Sequence, residues 1–168
     1  MGYVHDTAMT MFLMPADGHY VTGTWSDAAG STANTIAKSK AAAAETATIT
    51  FALPMLANTV ALKGTSIASV EIDYEILTAA ATSMTLTMNK VTRGADTAGF
   101  TVAAITGTQT LTPASTAATV AKHRDKFTIT TPAYIGNNEL YLFKCVAVCA
   151  TTTALTIFGV NVNYTLRV

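Results

Sequence analysis

From Thr46 onward the chain alternates apolar and polar residues with a period of two, and that period leaves little choice of fold. In TATITFALP, Ile49, Phe51 and Leu53 fall on one side and Thr48 and Thr50 on the other. In SVEIDYEIL, Val70, Ile72, Tyr74 and Ile76 alternate with Glu71, Asp73 and Glu75. In SMTLTMNKV, Met84, Leu86 and Met88 alternate with Thr85, Thr87 and Asn89. Successive side chains of a strand point to opposite faces, so this pattern marks half-buried strands. Pro54 and Pro132 close two of the segments, as residues that cannot donate to a ladder.

Eight or nine such segments recur at spacings of about ten residues with no convincing helix, the pattern of an all-β, antiparallel sandwich or barrel. TAAAT, between SVEIDYEIL and SMTLTMNKV, is short enough for a hairpin. FTVAAIT reads as a weaker strand, GTQTLTPASTAATV as a loop or edge strand, and TRGADTAG as an exposed turn. At 168 residues the chain is one domain, long enough to bury a core without metals or disulfides. Residues 46–168 are expected to form the sandwich. Residues 1–45 are expected to be an N-terminal arm and loop contributing one or two strands, from TAMTMFLM and GHYVTGTW. SDAAGSTANTIAKSKAAAAE, small and polar, reads as loop with at most two helical turns.

The segment ELYLFKCVAVCA is apolar on both faces. Leu140, Leu142, Val146 and Val148 share one; Tyr141, Phe143, Cys145 and Ala147 share the other. A sandwich strand needs only one apolar face, so the second is expected to lie under another copy of the chain. Tyr141, Phe143 and Cys145 are the candidate subunit-interface residues. Cys145 and Cys149 share parity and stand roughly 13 Å apart along a strand, too far to bond to each other, so both read as buried free thiols. In ALTIFGVNVNYTL the parity shifts at Gly159, which suggests a β-bulge.

Only 12% of residues are charged and the net charge is zero, where ordinary domains carry about 25% charged residues. Phosphate binding needs a surplus of Lys and Arg, so no nucleic-acid partner is expected. A surface this poor in charge is better explained by partner subunits covering it. No run approaches the roughly 18 apolar residues of a membrane helix, and residues 1–18 lack the basic start of a secretory leader. Charge is densest in VAKHRDKFTI. Its His123-Arg124-Asp125 matches a kinase catalytic loop, but that loop needs Asn five residues after the Asp, and Thr130 stands there. Lys122, Arg124 and Lys126 instead form a basic stripe of strand period. Glu71, Asp73 and Glu75 form an acidic one, whose like charges repel unless cations compensate. The two stripes are candidates to pair across neighbouring strands or across a subunit contact. A divalent cation is the alternative, although same-face side chains about 7 Å apart are too widely set for one ion to engage all three.

His5, His19 and His123 have no partners at metal spacing; no metal, cofactor or catalytic residue is expected, and the chain reads as non-enzymatic. Nearly every His, Asp and Lys fits a turn, the arm or the solvent face of a strand. Tyr20 with Trp25 either stacks a sugar ring or packs on its own sheet.

Taken together, SIASVEIDYEIL, SMTLTMNKV, HRDKFTITTPAYIGNNELYLFKCVAV and TTALTIFGVNVNYTL resemble the single-jelly-roll capsid decoration (cement) and head-fibre proteins of tailed phages. The resemblance spans residues 66–168. It implies an eight-stranded jelly roll that forms a homotrimer, binds the major capsid protein on the outside of an icosahedral shell, and sends an arm toward the capsid or a neighbouring trimer. It also implies synthesis in a host cytoplasm and a place on the virion surface; free thiols fit that reducing compartment. Two alternatives stay open: a single-jelly-roll capsid subunit that self-assembles, and a carbohydrate-binding fibre head or lectin-like module.

Overall fold

A computed structural model describes residues 5–29, 36–57, 64–94, 99–111 and 120–167. The strands are β1 (Asp6–Leu13), β2 (Gly18–Thr22), β3 (Trp25–Ala29), β4 (Ile36–Lys40), β5 (Thr46–Leu53) and β6 (Gly64–Ile76), followed by β7 (Ser83–Arg93), β8 (Phe100–Ala104), β9 (Gly107–Thr110), β10 (Lys122–Ile129), β11 (Glu139–Val148) and β12 (Leu155–Arg167). One 3-10 turn, Pro15–Asp17, links β1 to β2.

All pairings are antiparallel and fall into two sheets. One runs β3-β4-β12-β6-β10-β9; the other runs β2-β5-β11-β7-β8. The pairs are nested: β4 with β12, β5 with β11, β6 with β10, and β7 with β8. This is a jelly roll, a long hairpin rolled up so that its strands alternate between two sheets. β1, β2, β3 and β9 add to its edges. Since β6 occupies one edge of β12 throughout, β4 and β1 share the other, at Leu155–Ile157 and Val160–Arg167 respectively.

Three expectations change. TAAAT makes no hairpin, because β6 and β7 lie in different sheets and the link crosses between them. The jelly roll begins before residue 46, since β4 is its first strand, and the first 45 residues supply four strands rather than one or two. IAKSK is a strand despite its helix-compatible composition. It is held by ladder bonds to β12 and by a 2.9 Å hydroxyl contact between Ser39 and Thr156, and tertiary pairing of this kind overrides weak local propensity. In TRGADTAG, Thr92 and Arg93 end β7 and residues 95–98 lie outside the described residues, while Gly94 N–H donates to the Gly99 carbonyl.

The core lies between the sheets. Ile49, Phe51 and Leu53 of β5, Met84, Leu86 and Met88 of β7, and Phe143 of β11 meet Ile72, Tyr74 and Ile76 of β6, Phe127 of β10 and Ile157 of β12. The bulge in β12 lies between Ile157 and Gly159. Gly159 has φ of +150° and the Phe12 ring lies across it, so a Cβ there would collide with that ring. Along one seam the sheets are stitched by a side chain. Gln109 of β9 accepts from Leu86 N–H and donates to the Met84 carbonyl, both at 2.8 Å, so it satisfies β7 as a neighbouring strand would.

Candidate functional site

The acidic and basic stripes meet within the chain. The register of β6 and β10 sets Glu71 opposite Lys126, Asp73 opposite Arg124, and Glu75 opposite Lys122. Arg124 Nε donates to Asp73 at 2.7 Å and Lys126 Nζ lies 3.4 Å from Glu71. The hydrogen bond to Asp73 raises the Arg124 pKa further. Asn163 on β12 reaches Glu71 from the other side and also Ser69. Exposed pairs of this kind contribute about 0.2–1 kcal/mol each. Their larger effect is on register, because a one-residue slip would bury the whole row. Among the described residues no group of three or more His, Cys, Asp or Glu is arranged to hold a metal ion.

The other face of β10 departs from expectation. Because Lys122, Arg124 and Lys126 point outward, His123 and Asp125 point inward, and both are buried. Tyr74 Oη donates to Asp125 Oδ2 at 2.7 Å, and the Tyr74 and His123 rings stack with centroids 4.9 Å apart. Burial, then the bond to Asp125, pushes the Tyr74 phenol well above its usual range. Burial also raises the Cys145 thiol, with Asp125 adding to the effect. Cys145 Sγ contacts Met84 Sδ at 3.2 Å. The hydrogen bond and the ring contact tie β6 to β10 within one sheet, and the sulfur contact ties β11 to β7 within the other.

Lys40 is a second buried polar group that sequence reasoning missed. Its ammonium donates to the carbonyls of Ala41 and Ala43 at 2.9 and 3.0 Å and lies 3.3 Å from Glu45. It pins the turn between β4 and β5. Burial raises the Cys149 thiol close by, against a lowering effect from Lys40. Both cysteines are free and buried.

The proposed subunit-interface residues are corrected. Tyr141, Phe143 and Cys145 are buried in the chain's own core, facing Lys90, Met88 and Leu86 across the ladder to β7. The face of β11 turned outward is the other one: Leu140, Leu142, Lys144, Val146 and Val148. At its end Glu139 accepts from Lys90 Nζ and from Gly136 N–H, both at 2.7 Å. Burial alone would raise that carboxyl, but these two donors outweigh it and hold its pKa below the ordinary value.

Tyr20 and Trp25 are half-buried against the core with ring centroids 4.8 Å apart. Their polar tips bond to the backbone carbonyls of Pro15 and Thr22, and Lys38 Nζ lies 5.7 Å from the Tyr20 ring centre. The strands nearest the chain ends are clamped by Asp6, which accepts two bonds from Arg167, while Arg167 lies over the Tyr134 ring. The Arg167 bond holds the Asp6 carboxyl below its usual range.

No family model matches the chain, and no curated protein matches it.

Proposed function

We propose that the protein is a structural, non-enzymatic component of a phage virion: a trimeric decoration protein that binds the major capsid protein and stabilises the outer surface of an icosahedral shell. The observation that carries this reading is the nested jelly-roll pairing of β4 through β12, the fold implied by the resemblance of residues 66–168 to cement and head-fibre proteins. A charge-poor surface of threonine and aliphatic residues supports it, because such surfaces suit flat, repeated contacts. The strands added before the jelly roll support it as well. β1 lies along β12 at the sheet edge, where, among the described residues, its other side has no ladder partner and is open to a neighbour.

Light scattering on purified protein at micromolar concentration, with reductant, tests the reading. A mass near three times 17.5 kDa is expected. Particles in the megadalton range would replace it with a self-assembling capsid subunit, and a monomer would remove its oligomeric part. Co-sedimentation with shells assembled from the major capsid protein of the same virus tests the capsid contact, with saturable binding expected.

A further inference from the structure

The outer face of the β2-β5-β11-β7-β8 sheet contrasts with the charged outer face of the β6–β10 ladder. Its outward positions are Thr46, Thr48, Thr50 and Ala52 on β5, the five β11 residues named above, and Ser83, Thr85, Thr87, Asn89 and Val91 on β7. Among its described positions there is no carboxylate; Lys144 and Arg93 carry its formal charge, and His19 of β2 stands exposed opposite Thr50. Leu140, Val91 and Val102 stand side by side across three strands. Leu140 is 41% exposed, Val102 65%, and Phe100 at the rim 73%.

β8 sharpens the point. It is the last strand of its sheet, all five of its residues are exposed, and none is charged. Edge strands are normally blunted by charge, proline or a covering side chain. The adjoining stretch of β7 is covered in that way, by Gln109 at Met84 and Leu86 and by Ile105 N–H at the Met88 carbonyl. β8 is left bare. Its two sides also differ in size, with Phe100 and Val102 on one and Thr101 and Ala103 on the other.

We propose that this face, seated on the row Leu140–Val91–Val102 with Phe100 at its rim, is the surface on which a second copy of the chain packs. Two observations select a copy as the occupant. Self-contact sets identical charges against each other, and this face offers only two, whereas the ladder on the opposite face already compensates its charges internally. Its size also suits a subunit contact. With strands about 4.8 Å apart and a rise of about 3.3 Å per residue, the five strands present a projected area on the order of 600 Å². Corrugation by side chains brings that close to the roughly 800 Å² per partner of a stable interface.

This inference rests on the oligomeric part of the function proposed above, and the test separates the two. Val102→Glu and the double variant Leu140→Glu/Val102→Glu place charge at exposed positions, and Leu77→Glu does so at a position 50% exposed outside this sheet. Each is compared with the wild type by light scattering at micromolar concentration, with circular dichroism as the check on folding. The expected result is a wild-type oligomer, an unchanged Leu77→Glu oligomer, and a folded 17.5 kDa monomer for the double variant. A wild-type oligomer that survives both Val102→Glu and the double variant overturns this face and leaves the oligomer standing. A wild-type monomer overturns both.

Discussion

The β6–β10 pair and the β7–β11 pair use the same antiparallel ladder and carry opposite chemistry. In the first, both faces hold ionisable groups: the row from Glu71/Lys126 to Glu75/Lys122 outside, and Tyr74, His123 and Asp125 inside. In the second, the inside is Met84, Leu86, Met88, Tyr141, Phe143 and Cys145, with the Lys90–Glu139 ion pair only at its end, and the outside is threonine and aliphatic residues with Lys144. The difference separates two ways of fixing register. Complementary charge fixes the first pair, because a slip would set carboxylates into the core. Packing volume fixes most of the second, whose one printed ion pair, Lys90 with Glu139, sits at the end of the ladder.

Three substitutions would break or sharpen that contrast. The largest effect is expected from Phe143→Ala, which empties a fully buried ring site in the packing-fixed pair; urea unfolding should show a loss of about 3–5 kcal/mol. A loss below about 2 kcal/mol would mean that the inside of β11 can collapse around the gap, and packing would no longer define this pair. Tyr74→Phe comes next. It keeps the ring on His123 and removes the hydroxyl from Asp125, at an expected cost of about 1–3 kcal/mol from the acceptor left behind. Equal stability of the variant and the wild type would show that the interior polar contact contributes nothing, and the contrast between the two insides would fail. The smallest effect is expected from Arg124→Ala. Two-thirds of that side chain meets solvent, so the loss should stay under about 1 kcal/mol and shrink further in about 1 M salt. A loss that salt leaves untouched would assign Arg124 a packing role instead.

How much of this was legible in the sequence depends on how local the cause is. Alternation names the inward residues of β5, β6 and β7 without help, because a strand exposes its own period. The two charge stripes are visible in the same way. Their meeting is not, since it depends on β6 and β10 being neighbours across about fifty residues of chain. For β11, alternation has nothing to say: both faces are apolar, and only Met88 opposite Phe143 decides which is core. His123 and Asp125 were decidable. If Lys122, Arg124 and Lys126 point to water, the residues between them point inward, yet the rarity of buried His and Asp argues the other way. β3 and β4 were hidden because short strands of small and polar residues carry no period; their partners hold them. The outward face around β8 was visible only as a weak strand, since exposure belongs to the sheet and not to the segment.

The clamp between Asp6 and Arg167 joins residues 161 apart in the chain, and it orders events during synthesis. β1 leaves the ribosome before every other described strand, and β12, its strand partner among the described residues, leaves after them. Until β12 exists, Met9, Met11 and Phe12 have no ladder to join, and they wait in water while the rest of the jelly roll is made. The strand made before the other described strands is therefore seated after them, and the nascent chain carries it unsatisfied while they are translated.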